Sequence, residues 1–263
     1  MESPVNYLMH AMDCRRKGDQ DNYWLYMGKA ADGGLLVAQY YMARLYLERE
    51  NGPLCLEYAI KAEQNASAMD NRNDDRDIWL VQIWYILGRV YLYGYGMDSD
   101  ARLAFQYLDR IWQNPQKSVL DINDLRQHHS LAVIALAELM DDPQAMLEAG
   151  KICMDVGTGL YNPERSFHWF NEAYNHGCQE ALRYMADSYY WGRGVERNYA
   201  RALDIYLRIC DGHWTIMSSI SLIYSNGGYG VEPDAEKARY WHQKALQLSY
   251  SDPSTGGWGM YGK

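Results

Sequence analysis

Gly192-Arg193-Gly194-Val195 and Gly228-Tyr229-Gly230-Val231 are two copies of one short phrase, and their spacing decides the fold. Looser copies stand upstream as Gly94-Tyr95-Gly96-Met97 and Gly157-Thr158-Gly159-Leu160. The second glycines lie at 96, 159, 194 and 230, in steps of 63, 35 and 36 residues. A period in the thirties marks a stack of supersecondary units, each covering the apolar face of its neighbour. Such a stack offers a long surface to a partner, not a closed reaction chamber.

The sequence around each phrase is helical. An anchor residue precedes the first glycine by three or four positions: Tyr91, Cys153, Tyr189 and Tyr224. Three residues before each anchor stands a small one: Gly88, Gly150, Ala186 and Ser221. The pair recurs without the phrase as Ala43 with Tyr46 and Ala11 with Cys14. Residues three apart share a helix face, so the small residue admits a neighbouring helix and the anchor fills the gap beside it. After each phrase comes a helix start: Asp100, Asn162 followed by Pro163, Asn198 and Asp234. Asx side chains cap free N–H groups there, and the glycines suit the left-handed backbone that ends a helix. The second helix of each unit pairs alanine or serine with an aromatic or branched residue three on, as in Ala238 with Trp241, Ser166 with Trp169 and Ala202 with Ile205.

Two stretches, Met185 to Asn198 and Tyr229 to Ala245, resemble the Sel-like repeat, a relative of the tetratricopeptide repeat. The resemblance implies an all-α chain, a right-handed α/α superhelix of helix pairs. The pairs are expected at about 3–33, 36–66, 78–113, 143–177, 180–212 and 213–249 of a single solenoid spanning 1–250. An extra apolar helix is expected at about 123–141, with no evident partner, inside the 63-residue step. Residues 67–77 read as a polar loop or cap, and 251–263, with Trp258 and Tyr261, as a flexible tail.

Charge narrows the partners. The chain has 25 Lys and Arg against 34 Asp and Glu, a net charge of −9, which disfavours nucleic acid and favours a basic protein partner or plain solubility. No run of 18 apolar residues is present, and the first residues lack a basic and apolar leader, so neither a membrane span nor a signal peptide is expected. Five cysteines, Cys14, Cys55, Cys153, Cys178 and Cys210, form no CxxC and no recurring pair, which fits reduced thiols in a cytoplasm. No cofactor is indicated.

Equivalent first-helix positions are expected to line the concave face. Arg44, Arg89, Lys151 and Asp187 form one row, edged by Tyr41, Tyr85 and Tyr184. Arg and Tyr are residues in which binding energy concentrates, and the row suits an acidic segment of a partner. The aromatic balance of 24 Tyr and 9 Trp against 3 Phe also favours half-exposed surfaces. Asp121, Asp124, His128 and His129 form the one polar cluster, and Asp124 and His128 share a helix side, which is two ligands of a metal site without a third.

The function expected is a non-catalytic protein-interaction module in a bacterial cytoplasm. The resemblance implies roles as adaptor, regulator, host-interaction factor or immunity protein, and a short acidic chain leans to the last, a toxin inhibitor whose partner is a cognate toxin or secretion-system component. The alternatives are a metal-dependent hydrolase using Asp124 and His128, or a general assembly scaffold.

Overall fold

A computed structural model describes residues 2–70 and 75–251. The expected tail at 252–263 and the centre of the expected polar loop, 71–74, lie outside the described residues. The chain is all-α, built from helix pairs, and divides into two compact units, Met1–Leu139 and Met140–Lys263.

The first unit holds α1 (Pro4–Lys17), α2 (Gln20–Asp32), α3 (Leu36–Glu48), α4 (Gly52–Ser67), α5 (Asp75–Tyr93), α6 (Ala101–Gln113) and α7 (Ile122–Leu139). α1 pairs with α2, α3 with α4 and α5 with α6. The apolar helix α7 finds its partner in α6: Leu125 and Ala132 join Leu108 and Ile111 in one core. The second unit holds α8 (Pro143–Met154), α9 (Pro163–Asn175), α10 (Ala181–Trp191), α11 (Tyr199–Ile209), α12 (Trp214–Asn226) and α13 (Ala235–Ser251), paired in that order.

Small residues set the close approaches. A Cβ added to Gly88 would lie 2.7 Å from Leu108 Cγ of the facing helix, and one added to Gly150 would lie 2.5 Å from the Phe170 ring. Leu87, Leu108 and Ile83 are fully buried, and each such side chain contributes about 1.5–3 kcal/mol by leaving water. Tyrosine anchors fill the adjacent space by stacking: Tyr46 on Tyr58 at 5.8 Å, Tyr91 on Tyr107 at 5.9 Å. The rings they stack on are tied by their hydroxyls, Tyr58 donating to Asp32 at 3.0 Å and Tyr107 to Glu63 at 3.3 Å. Much of the tyrosine excess therefore serves packing between helices.

All four Asx caps form. Asp100, Asn162, Asn198 and Asp234 accept from the backbone N–H three residues on at 3.0, 2.8, 2.9 and 3.0 Å. The glycines behave less uniformly. Gly94 and Gly192 are left-handed at φ 76° and 69°, but α8 ends at Met154 with Asp155 as its cap, and Val156–Thr158 forms a 3-10 turn before Gly159. The one-residue-shorter loop leaves no room for the phrase in its usual shape.

These loops also lock successive pairs together. The carbonyl of Tyr95 accepts from Gly52 N–H at 2.7 Å, at the start of α4, and the carbonyl of Tyr229 accepts from Tyr199 N–H at 3.0 Å, at the start of α11. Both tyrosines sit at positive φ, 46° and 48°, a conformation that costs a non-glycine residue about 1–2 kcal/mol. The central residue of the phrase thus holds a strained backbone to cap the neighbouring helix.

Candidate binding face

Tyr41 and Arg44 lie on α3, and Tyr85 and Arg89 on α5, which packs on α3 as well as α4. Tyr41 and Arg44 border a cavity of about 260 Å³ shared with Arg15, Tyr23 and Trp24. The Arg44 guanidinium lies over the Tyr40 ring at 5.8 Å and reaches Glu48 only at 3.9 Å. In solvent a pair that long contributes little, so Arg44 keeps most of its charge available.

Arg89 is the unusual member. Its guanidinium lies over the Tyr85 ring at 5.7 Å, and its Nε is buried with no acceptor. Among the described residues no carboxylate pairs with it within ion-pair distance. Around it stand Tyr85, which donates its hydroxyl to Asp124, and His128, whose ring meets the edges of Tyr85 and Tyr93 at 5.5 and 5.7 Å. Burial first, and then the bond to Asp124, push the Tyr85 hydroxyl far up, so it remains a donor at every physiological pH.

The Asp121, Asp124, His128 and His129 cluster divides. Asp121 caps α7 through Asn123 and Asp124 N–H at 2.8 and 3.1 Å. His128 Nδ1 engages the Asp124 carbonyl at 2.7 Å. His129 turns to the other side, stacking on Trp112 at 5.5 Å with Asp109 at 3.5 Å. No group of three or more metal-ligating side chains gathers among the described residues. Sequence spacing brought Asp124 and His128 together, but only the packing of α7 against α5 added Tyr85, Tyr93 and Arg89 to them.

Burial holds both His128 and His129 below the ordinary 6.5. A depressed histidine contributes its stability above the unfolded value and loses it as pH falls through the folded one. The wild type is therefore expected to lose more thermal stability between about pH 7.5 and about pH 5.5 than a His128→Gln/His129→Gln variant. Equal losses in melting curves would place these rings in water.

In the second unit the equivalent positions are occupied differently. Lys151 reaches Glu148 at 2.9 Å and Glu180 at 3.2 Å and lies over the Tyr184 ring at 5.3 Å. Tyr184 in turn stacks on Phe170 at 4.8 Å. Asp187 accepts from the buried Tyr206 hydroxyl at 2.5 Å. Desolvation raises its carboxyl above the ordinary 3.8, more than Tyr206 and Arg183 lower it. A raised carboxyl means the folded state holds its proton more tightly, so this site favours folding most below 3.8 and loses that as pH rises. Relative to an Asp187→Asn variant, the wild type is expected to gain stability on acidification from neutral pH. Urea midpoints of both proteins across that range check the sign.

Five segments, residues 36–65, 85–110, 143–178, 179–212 and 217–250, match the Sel1 repeat model, together more than half of the chain. This chain belongs to the Sel1 repeat family. Its repeats begin at α3, so α1, α2 and the whole of α7 lie outside the matched segments. Sel1 repeat proteins are in general protein-interaction modules. An uncharacterized protein of Neisseria meningitidis serogroup B is 29% identical over 85 residues, 32% of this chain and 18% of that protein. The chain thus matches less than a fifth of that relative's length. Among solved structures, a Sel1 repeat protein from Oxalobacter formigenes aligns over 91% of this chain and 96% of its own, at 20% identity and a TM-score of 0.37. A protective antigen of uropathogenic Escherichia coli with an SLR fold aligns over 88% of this chain and 50% of its own, at 18% identity and a TM-score of 0.40. Among the described residues no Sel1-repeat helix here is long and apolar enough to cross a membrane.

Proposed function

We propose that this chain is a non-catalytic binding module for one specific protein, an immunity protein or adaptor. Its first unit grips an acidic segment of the partner through Tyr41, Arg44, Tyr85 and Arg89. The observation that carries this reading is Arg89. A half-buried guanidinium with an unpaired Nε, stacked on a tyrosine, is costly to maintain without a carboxylate to receive it. Arginine presents a planar fork that takes a carboxylate through two bonds, which fits the missing group. Arg44, on the adjacent first helix and weakly paired, supplies a second cation in a chain of net charge −9. Lys151, Tyr184 and Asp187 hold the matching positions of the second unit, but Lys151 and Asp187 are paired internally and the Tyr184 ring is stacked on Phe170, so this row's cationic contact falls to the first unit.

The reading is tested by purifying the tagged protein from its native cells beside an Arg89→Met variant and identifying bound proteins by mass spectrometry. One stoichiometric partner, depleted in the variant, supports it. A toxin among such partners selects the immunity role. Several partners in substoichiometric amounts select a general scaffold, and equal recovery by the variant removes Arg89 from the site.

A further inference from the structure

A second set of charged side chains lies in the second unit. Arg193 lies over Trp191 at 5.7 Å, Arg197 over Tyr229 at 5.1 Å and Arg201 over Tyr189 at 5.4 Å. The hydrogen bonds of Arg197 and Arg201 go to neutral oxygens: Tyr229 hydroxyl at 3.4 Å, the Trp191 carbonyl at 3.2 Å and Tyr189 hydroxyl at 3.2 Å. Arg208 is exposed two turns beyond Arg201 on the same helix. Among the described residues none of these four arginines has a carboxylate within ion-pair distance, although the chain carries nine more acids than bases.

Arg201 and Arg208, two of the four, border an open cleft of about 530 Å³ between α10 and α11. Its floor is apolar, made by Leu182, Met185 and Ile205, and its margin carries Arg201 and Arg208 with Asp204 as the one carboxylate. A volume of this size takes a large aliphatic or aromatic side chain with adjoining backbone. Two guanidinium groups against one carboxylate leave the margin cationic.

We propose that this cleft binds an extended acidic peptide segment bearing one large apolar side chain. The apolar side chain fills the floor over Leu182, Met185 and Ile205. Flanking Asp or Glu carboxylates pair with Arg201 and Arg208, and the segment continues toward Trp191 and Tyr229, where Arg193 and Arg197 face solvent. Stacking on Tyr189, Trp191 and Tyr229 holds the forks of Arg201, Arg193 and Arg197 in place before the ligand arrives, which lowers the ordering cost of binding. A nucleic-acid strand meets the same arginines but also the repulsion of the whole chain's negative charge. A peptide of a few carboxylates meets far less of it.

The test pans a random dodecapeptide library on the purified full chain and on an Arg201→Glu/Arg208→Glu variant. Enriched peptides are expected to place Asp or Glu beside Leu, Phe or Trp. A labelled consensus peptide is expected to bind the double variant at least about 10-fold more weakly, the effect of losing charge-assisted pairs. Arg208→Glu alone, which removes no ring contact, is expected to weaken it severalfold with an unchanged circular dichroism spectrum. Arg44→Glu, in the first unit, is expected to leave it unchanged, so this result stands apart from the fate of the Arg89 site. Enrichment of nothing, of peptides without acids, or of the same peptides on the double variant overturns the proposal. So does arginine-dependent binding of an oligo-dT strand or of phosphatidylserine vesicles in place of peptide.

Discussion

Replacing Gly88 by leucine is expected to destabilise the first unit by about 1–3 kcal/mol or more, the cost of overpacking a closed core. The position sits on α5 where Leu108 of α6 crosses it, and even one added carbon lies 2.7 Å from Leu108 Cγ and 2.9 Å from a methyl group. Leu108 is fully buried, so it has no open space to retreat into. The helices must separate, and Tyr91, stacked on Tyr107 one turn away, loses its seat. Gly28→Ala supplies the contrast. It lies within α2, where an added Cβ meets only Met42 Cε at 3.8 Å, an ordinary contact. There alanine is expected to be neutral or stabilising by about 0.4–1 kcal/mol, because it narrows the unfolded ensemble and favours helix. Urea unfolding of the two variants measures both. A Gly88→Leu midpoint equal to the wild type would mean the helices do not cross here.

The second large effect is on binding. Arg89→Met keeps the apolar stem over Tyr85 and removes the guanidinium with its buried, unpaired Nε. Folding stability is expected to hold or rise, because an uncompensated buried polar group is removed. Affinity for the protein partner is expected to fall by about 2 kcal/mol, roughly 30-fold, the scale of an arginine hot spot. Charge reversal with glutamate is a poorer probe than the exposed row position suggests, since it places a second carboxylate near Asp124 in a half-buried cluster. Titration calorimetry with the captured partner, paired with melting curves, separates the two effects. A destabilised variant with normal affinity would make Arg89 a packing residue.

The physical division between what was legible and what was not is clear at particular residues. Gly88, Gly150 and the four Asx caps were readable because each acts through local backbone geometry or a contact fixed by the helix period. The fate of the expected cationic row was not. Arg44, Arg89 and Lys151 occupy equivalent register positions, yet Lys151 is neutralised by Glu148 and Glu180, one of them from the next helix pair, while Arg89 is left unpaired over Tyr85. Likewise the meeting of Asp124 with Tyr85 depends on residues 39 positions apart in sequence. The sequence by itself determined the all-α repeat architecture, its period and its helix starts, because those follow from spacings shorter than two helix turns and from a recurring phrase. Only the tertiary structure decided which charges remain available, because ion pairing is settled by side chains that converge from different repeats, and no local pattern encodes whether a neighbour arrives to cancel them.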